Sequence, residues 1–216
     1  MSKLIVHGID GSPFVRKVVV ALAEKGIDFD LNPVMPGGGG YPGYLEISPL
    51  GKVPCLQEGD YTLPDSSCIL QYLERTRPDP ALYPSDAVEY GRALWYEEYA
   101  DTRAADMLSP VFSERLVKKL MKQEPDEARV QEHLTEKIPP VLDYLEKELG
   151  DREWIVGARF SVADIAVASP FVNLALAGEE VDAARWPQLC AYLDRIHGRP
   201  SFKEVIEREK AFFASV

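Results

Sequence analysis

Between Gly11 and Gly26 the chain reads GSPFVRKVVVALAEKG, and this stretch decides how its first third can fold. Ser12 followed by Pro13 starts a helix. Serine is a favoured N-cap, and proline at the first helical position gives up an N–H that has no intrahelical partner anyway. Val15, Val18, Val19 and Leu22 then recur at i, i+3, i+4 and i+7, which lays them on one buried face. Gly26 supplies the left-handed residue after the helix end. Residues 3–8 (KLIVHG) before it and Phe29 to Val34 after it read as strands, so the opening is β-α-β with its strands parallel. A hydroxyl is thereby held at the positive end of a helix dipole, directly after a strand.

The run PGGGGYPG at residues 36–43 excludes regular structure and is expected to form a flexible loop. It serves either as a lid over the helix start or as a tolerated surface insertion. Val53 to Glu58 and Tyr61 to Leu63 are expected strands around the turn Gly59-Asp60. Asp65, Ser66 and Ser67 then cap a helix with Ile69, Tyr72 and Leu73 on one face. Three prolines in RPDPALYPSD, residues 77–86, mark a linker between a domain over residues 1–78 and an all-helical one over residues 88–216. In the latter, Val130, Leu134, Ile138, Val141, Leu145 and Leu149 form a stripe that Pro139-Pro140 should bend. Ala163 to Ala177 is apolar nearly all round and is expected to be the central buried helix. Pro187 and Pro200 each open a further helix.

Composition removes several function classes. A net charge of -11 argues against nucleic acid, whose phosphates need a basic face. No apolar run reaches membrane-spanning length, and the first strand leaves no room for a signal peptide before the fold, so a cytosolic protein is expected. Three cysteines without CxxC spacing and three histidines support neither a disulfide framework nor a metal site.

SPFVRKV after the first strand, SPLGKVP, LPDSS, FSVADIAVA and RPSF follow one another in this order across the whole chain. Together they resemble the glutathione transferase family, in particular its serine-type theta-, tau- and phi-like members. The resemblance implies an α/β thioredoxin-like N-terminal domain that binds glutathione and an all-α C-terminal bundle. It also implies a homodimer, glutathione as co-substrate, no metal, and a small hydrophobic electrophile as second substrate, with peroxide reduction as a compatible side activity.

In the resemblance, Ser12 donates a hydrogen bond to the sulfur of glutathione. A free thiol titrates near pH ~8.5, and a hydroxyl donor at a helix N-terminus favours its thiolate. Thiol exchange at this position is disfavoured, because a hydroxyl forms no mixed disulfide. Phe14, Lys52, Val53, Pro54, Asp65 and Ser66 are the implied glutathione contacts. The Val53–Pro54 bond is expected to be cis, with the Val53 backbone pairing to the cysteinyl backbone as an added strand would. Lys52 meets the glycine carboxylate or is simply a solvated lysine. Ser66, at a helix N-terminus, suits the γ-glutamyl carboxylate. Asp65, where the family carries Glu or Gln, suits the ammonium with a shorter reach, and as a cap it is compatible with that role.

Further expectations concern the rest of the chain. Val15, together with Arg103, Met107 and Val111 at i, i+4 spacing, is expected to line an acceptor pocket, with Phe212 and Phe213 closing it. Ser161 to Asp164 reads as a capping box that specifies folding. Arg16, one turn after Ser12, is expected to be an exposed helix charge rather than a source of positive potential at the sulfur, Cys55 and Cys68 small core residues rather than redox centres, and Trp95, Tyr96 and Tyr99 core and interface residues. Two alternatives to a conjugating enzyme stay open: a non-catalytic binding or assembly module of the same fold, and a glutathione-dependent isomerase or dehalogenase.

Overall fold

In β1 (Leu4–Gly8) the alternation of the chain sends Leu4 and Val6 to one face of a sheet and His7 to the other. β2 (Phe29–Pro33) pairs with it in parallel, as the β-α-β reading requires. β3 (Cys55–Glu58) and β4 (Tyr61–Pro64) form an antiparallel hairpin, giving the order β2-β1-β3-β4. The computed structural model describes residues 3–215, and the chain divides into two units, Met1–Tyr83 and Pro84–Val216.

α1 (Pro13–Glu24) covers one face of the sheet, buried at every residue from Val15 to Leu22, and Gly26 follows it with φ +63°. The approach to the sheet is close. A methyl group at Gly8 would lie 2.4 Å from Val15 Cγ2, so only glycine fits there. The other face carries His7, hydrogen-bonded to Asn32 (2.8 Å) and Gln57 (2.9 Å) and met edge-on by the ring of Tyr41 at 5.1 Å.

Residues 36–43 are more ordered than the expected flexible loop. Met35 N–H donates to Gly39 C=O (3.0 Å), Gly38 N–H to Met35 C=O (3.0 Å) and Gly37 N–H to Gly51 C=O (2.7 Å). Four of its glycines adopt positive φ, which is why the run is glycine. It leads into α2 (Tyr44–Ile47), a single turn too short to leave a period in the sequence. α3 (Ser66–Thr76) then packs against α1 and the hairpin.

The second unit is helical. α4 (Ala87–Tyr99) continues through a π-helical segment, Ala100–Ala104, into α5 (Ala105–Phe112), then through Ser113–Val117 into α6 (Lys118–Leu120). α7 (Glu127–Glu132) and α8 (Pro139–Leu149) flank a third π segment, His133–Lys137. The expected bend at Pro139-Pro140 takes this form: Pro139 opens α8, and Ile138 N–H reaches back five residues to His133 C=O at 2.9 Å. α9 (Val162–Leu176) is the buried centre, packed against α4, α5 and α10 (Pro187–His197); α11 (Pro200–Ala214) follows.

The capping box forms as read. Asp164, fully buried, accepts from Ser161 N–H (2.8 Å), Ser161 O–H (3.2 Å), Ile155 N–H (3.0 Å) and Tyr192 O–H (3.0 Å). Burial pushes its carboxyl up to about 6 against those four hydrogen bonds, which favour the charged form.

Candidate functional site

Strand register gathers the residues that matter. His7 pairs with Cys55 and Cys55 with Pro64, so Gly8, Pro54 and Asp65 lie at the same end of three neighbouring strands. Because β1 and β4 run the same way, α1 and α3 both begin at that end, which brings the positive ends of two helix dipoles there. Two contacts tie the segments: Asp65 N–H donates to Pro54 C=O (3.3 Å), and the buried Lys17 ammonium donates to Ser67 Oγ (3.3 Å).

Ser12 is the N-cap of α1 and half-buried; its Oγ accepts from Val15 N–H at 3.3 Å. Accepting uses a lone pair, so the hydroxyl proton is left to be donated outward. Phe14, in the first turn, is also half-buried.

The Val53–Pro54 peptide bond is cis. Val53 is buried, and among the described residues its N–H and C=O make no hydrogen bond. The Lys52 side chain is exposed, while its carbonyl is held from within by Tyr44 O–H (2.8 Å) and Ser48 O–H (2.8 Å). Sequence reasoning missed Tyr44 and Lys17. Both sit in stretches where nothing but the fold reveals which group they reach.

Asp65 adopts φ +78°, ψ 127°, a conformation that costs an L-residue on the order of 1–3 kcal/mol. Its Oδ1 accepts from Ser67 N–H (3.0 Å) and Cys68 N–H (3.1 Å), leaving Oδ2 without a hydrogen bond among the described residues. Ser66, at the first position of α3, is buried, and its hydroxyl makes no hydrogen bond among the described residues.

The four residues expected to line an acceptor pocket sit in different surroundings. Val15 is buried against Gly8 in the first unit. In the second, Arg103 is exposed on the π segment, Met107 is half-buried with its carbonyl accepting from His133 Nδ1–H (2.8 Å), and Val111 is fully buried. The π segment changes the angular step on which the i, i+4 reading relied. Phe213 packs edge-on against Phe112 at 5.3 Å and against Phe212 at 5.0 Å.

Two expectations need correction. Arg16 is buried rather than exposed, because α1 is covered on every side over this stretch and packs its stem. Cys68 is exposed rather than in the core, because the buried face of α3 is Ser66, Ile69, Leu70 and Leu73. Of the residues expected in core and interface, Tyr96 is buried, Tyr99 half-buried, and Trp95, 52% exposed, donates its indole N–H to Tyr144 Oη (2.9 Å). Cys55 is in the core as expected, and burial pushes its thiol up to about 11.

Residues 6–81 match the N-terminal domain of glutathione S-transferases, and residues 105–209 match their C-terminal domain. The chain belongs to the glutathione S-transferase family. It is 30% identical to glutathione S-transferase 3 of Zea mays, over 95% of this chain and 94% of that protein. Among solved structures it is similar to a glutathione S-transferase of Rhodospirillum rubrum F11 (TM-score 0.85, 27% identity, 94% of this chain and 91% of that one). It is also similar to one of Methylobacterium radiotolerans in complex with glutathione sulfonate (TM-score 0.77, 33% identity, 95% of both chains). As a glutathione S-transferase it carries the thioredoxin-like first domain and helical second domain that its motifs imply. Among the described residues no helix is long and apolar enough to cross a membrane, and no group of three His, Cys, Asp or Glu side chains could hold a metal ion.

Proposed function

We propose that this glutathione S-transferase binds glutathione across the strand end that carries Ser12, Val53–Pro54 and Asp65–Ser66, and conjugates it to a small hydrophobic electrophile. The register carrying these segments to one end of the sheet is the observation behind the reading. Strands lie about 4.8 Å apart, so three of them span about 10 Å, the length of an extended tripeptide. Ser12 donates to the sulfur and favours its thiolate, Val53 offers backbone groups to the cysteinyl unit, and Ser66 with the α3 N-terminus takes the γ-glutamyl carboxylate. Asp65 Oδ2 is available to the ammonium, and Lys52 to the glycine carboxylate.

Retention on immobilised glutathione, followed by a conjugation assay with an activated aryl chloride, tests this. Retention with turnover supports the reading. Retention without turnover of any electrophile favours a binding module, and no retention overturns the site.

A further inference from the structure

We propose that Tyr44 and Ser48 are positioning residues that aim the Val53 N–H at bound glutathione; the inference rests on the reading of this edge as the glutathione site. A trans peptide unit is planar, with its C=O and N–H pointing in opposite directions. The Lys52–Val53 unit is trans, the cis bonds of the described chain lying at Val53–Pro54 and Asp79–Pro80. Whatever fixes the Lys52 carbonyl therefore fixes the direction of the Val53 N–H.

Two hydroxyls do this. Tyr44 O–H and Ser48 O–H each donate to the Lys52 carbonyl at 2.8 Å, and both residues are only 1% exposed. One donor would leave the peptide plane free to swing about a single line, whereas two hold it. The path into Lys52 is pinned as well: Gly51 N–H donates to Ser48 C=O (2.8 Å) and Gly51 C=O accepts from Gly37 N–H (2.7 Å). Gly51 sits at φ +64°, where a methyl group would come within 3.3 Å of both Gly37 Cα and Leu45 Cδ2. Tyr44 is steadied in turn by edge-on contacts with His7 (6.5 Å) and Tyr41 (5.9 Å). Burial pushes its phenol up to about 12, so the donating proton stays in place through neutral pH.

The glycine-rich loop and α2 thus frame one backbone donor. A donor aimed in advance binds the cysteinyl carbonyl equally in ground and transition states, so it acts on KM and leaves kcat alone.

The test compares Tyr44→Phe, Ser48→Ala and the double variant in the full-length enzyme, with 15N spectra of the wild type titrated with glutathione. Each single substitution is expected to raise KM for glutathione about threefold, and the double about tenfold or more, since one hydroxyl partly covers for the other. kcat and the pH–rate midpoint governed by Ser12 stay unchanged. If the Val53 amide shifts with glutathione but the double variant keeps the wild-type KM, or loses kcat instead, the positioning role is overturned and the site reading stands. If the wild-type Val53 amide does not respond, the site reading falls and this inference with it. Should the double variant fail to fold, Tyr44→Phe decides alone, because it keeps the ring against His7 and Tyr41; an unchanged KM there overturns the proposal.

Discussion

Ser12 caps α1 and, in the proposed function, also donates to the glutathione sulfur, and substitutions can separate the two roles. As N-cap it accepts from Val15 N–H at 3.3 Å, with φ −82° and ψ 119°. Losing such a cap costs about 1 kcal/mol, which for a chain of this size lowers Tm by about 2–4 °C. As a donor to a thiolate the same hydroxyl contributes about 1.5–3 kcal/mol. At about 1.4 kcal/mol per pKa unit, its removal raises the thiol of bound glutathione by roughly one to two units. Ser12→Ala should lose both contributions, and Ser12→Thr should keep both. Ser12→Asp is the informative variant: it caps as well as serine, yet at neutral pH has no proton to give. Its Tm should stay near wild type while the midpoint of the kcat/KM–pH profile moves up as far as in Ser12→Ala. Thermal melts and pH–rate profiles measured on all three decide the matter. If Ser12→Asp keeps the wild-type profile, or if Ser12→Ala loses stability without any shift in profile, the thiolate role is wrong.

Three further predictions concern the scaffold. Burial holds the Asp164 carboxyl at about 6 in the fold against about 3.9 in the unfolded chain, so the folded state binds its proton more tightly. The stability it contributes is therefore full well below pH ~4 and is lost as pH rises through ~6, so the unfolding free energy of wild type minus Asp164→Asn should shrink by roughly 2 kcal/mol from pH 4 to 7. A gap that widens with pH would refute the raised value. Gly8→Ala must push Cγ2 of Val15 from a 2.4 Å contact, which should cost about 1–3 kcal/mol in denaturant titration. An unchanged midpoint would mean that α1 yields freely. Lys25 Nζ is held at 2.8 Å by Glu74 Oε2, Arg77 C=O and Pro80 C=O, with its side chain 1% exposed. Lys25→Met should cost on the order of 3 kcal/mol, nearer a buried pair than a surface one; a loss under half that would show the pair to be solvated.

The sequence carried the elements whose signals are local. Ser12-Pro13, the Gly59-Asp60 turn, the Asp65–Ser67 cap and the Ser161–Asp164 box each declare themselves within a few residues, and each formed. What escaped depends on neighbours distant in the chain. Arg16 is buried because other segments cover α1, and α2 exists as one turn held by Ser48 N–H to Tyr44 C=O (2.8 Å), with no periodicity to betray it. The candidate site was legible residue by residue through the family motifs. That its three segments meet is a matter of register, and Tyr44 on the Lys52 carbonyl is visible only once the loop is folded.

The backbone of Asp65 has an evolutionary corollary. Glycine there would relieve the cost of φ +78° and forfeit little as a cap, so the change toward greater thermal resistance is a single codon step away. It would also delete the carboxylate oxygen proposed to meet the γ-glutamyl ammonium. A screen of variants for heat tolerance alone should therefore enrich at this position for proteins that melt later and hold their tripeptide less well.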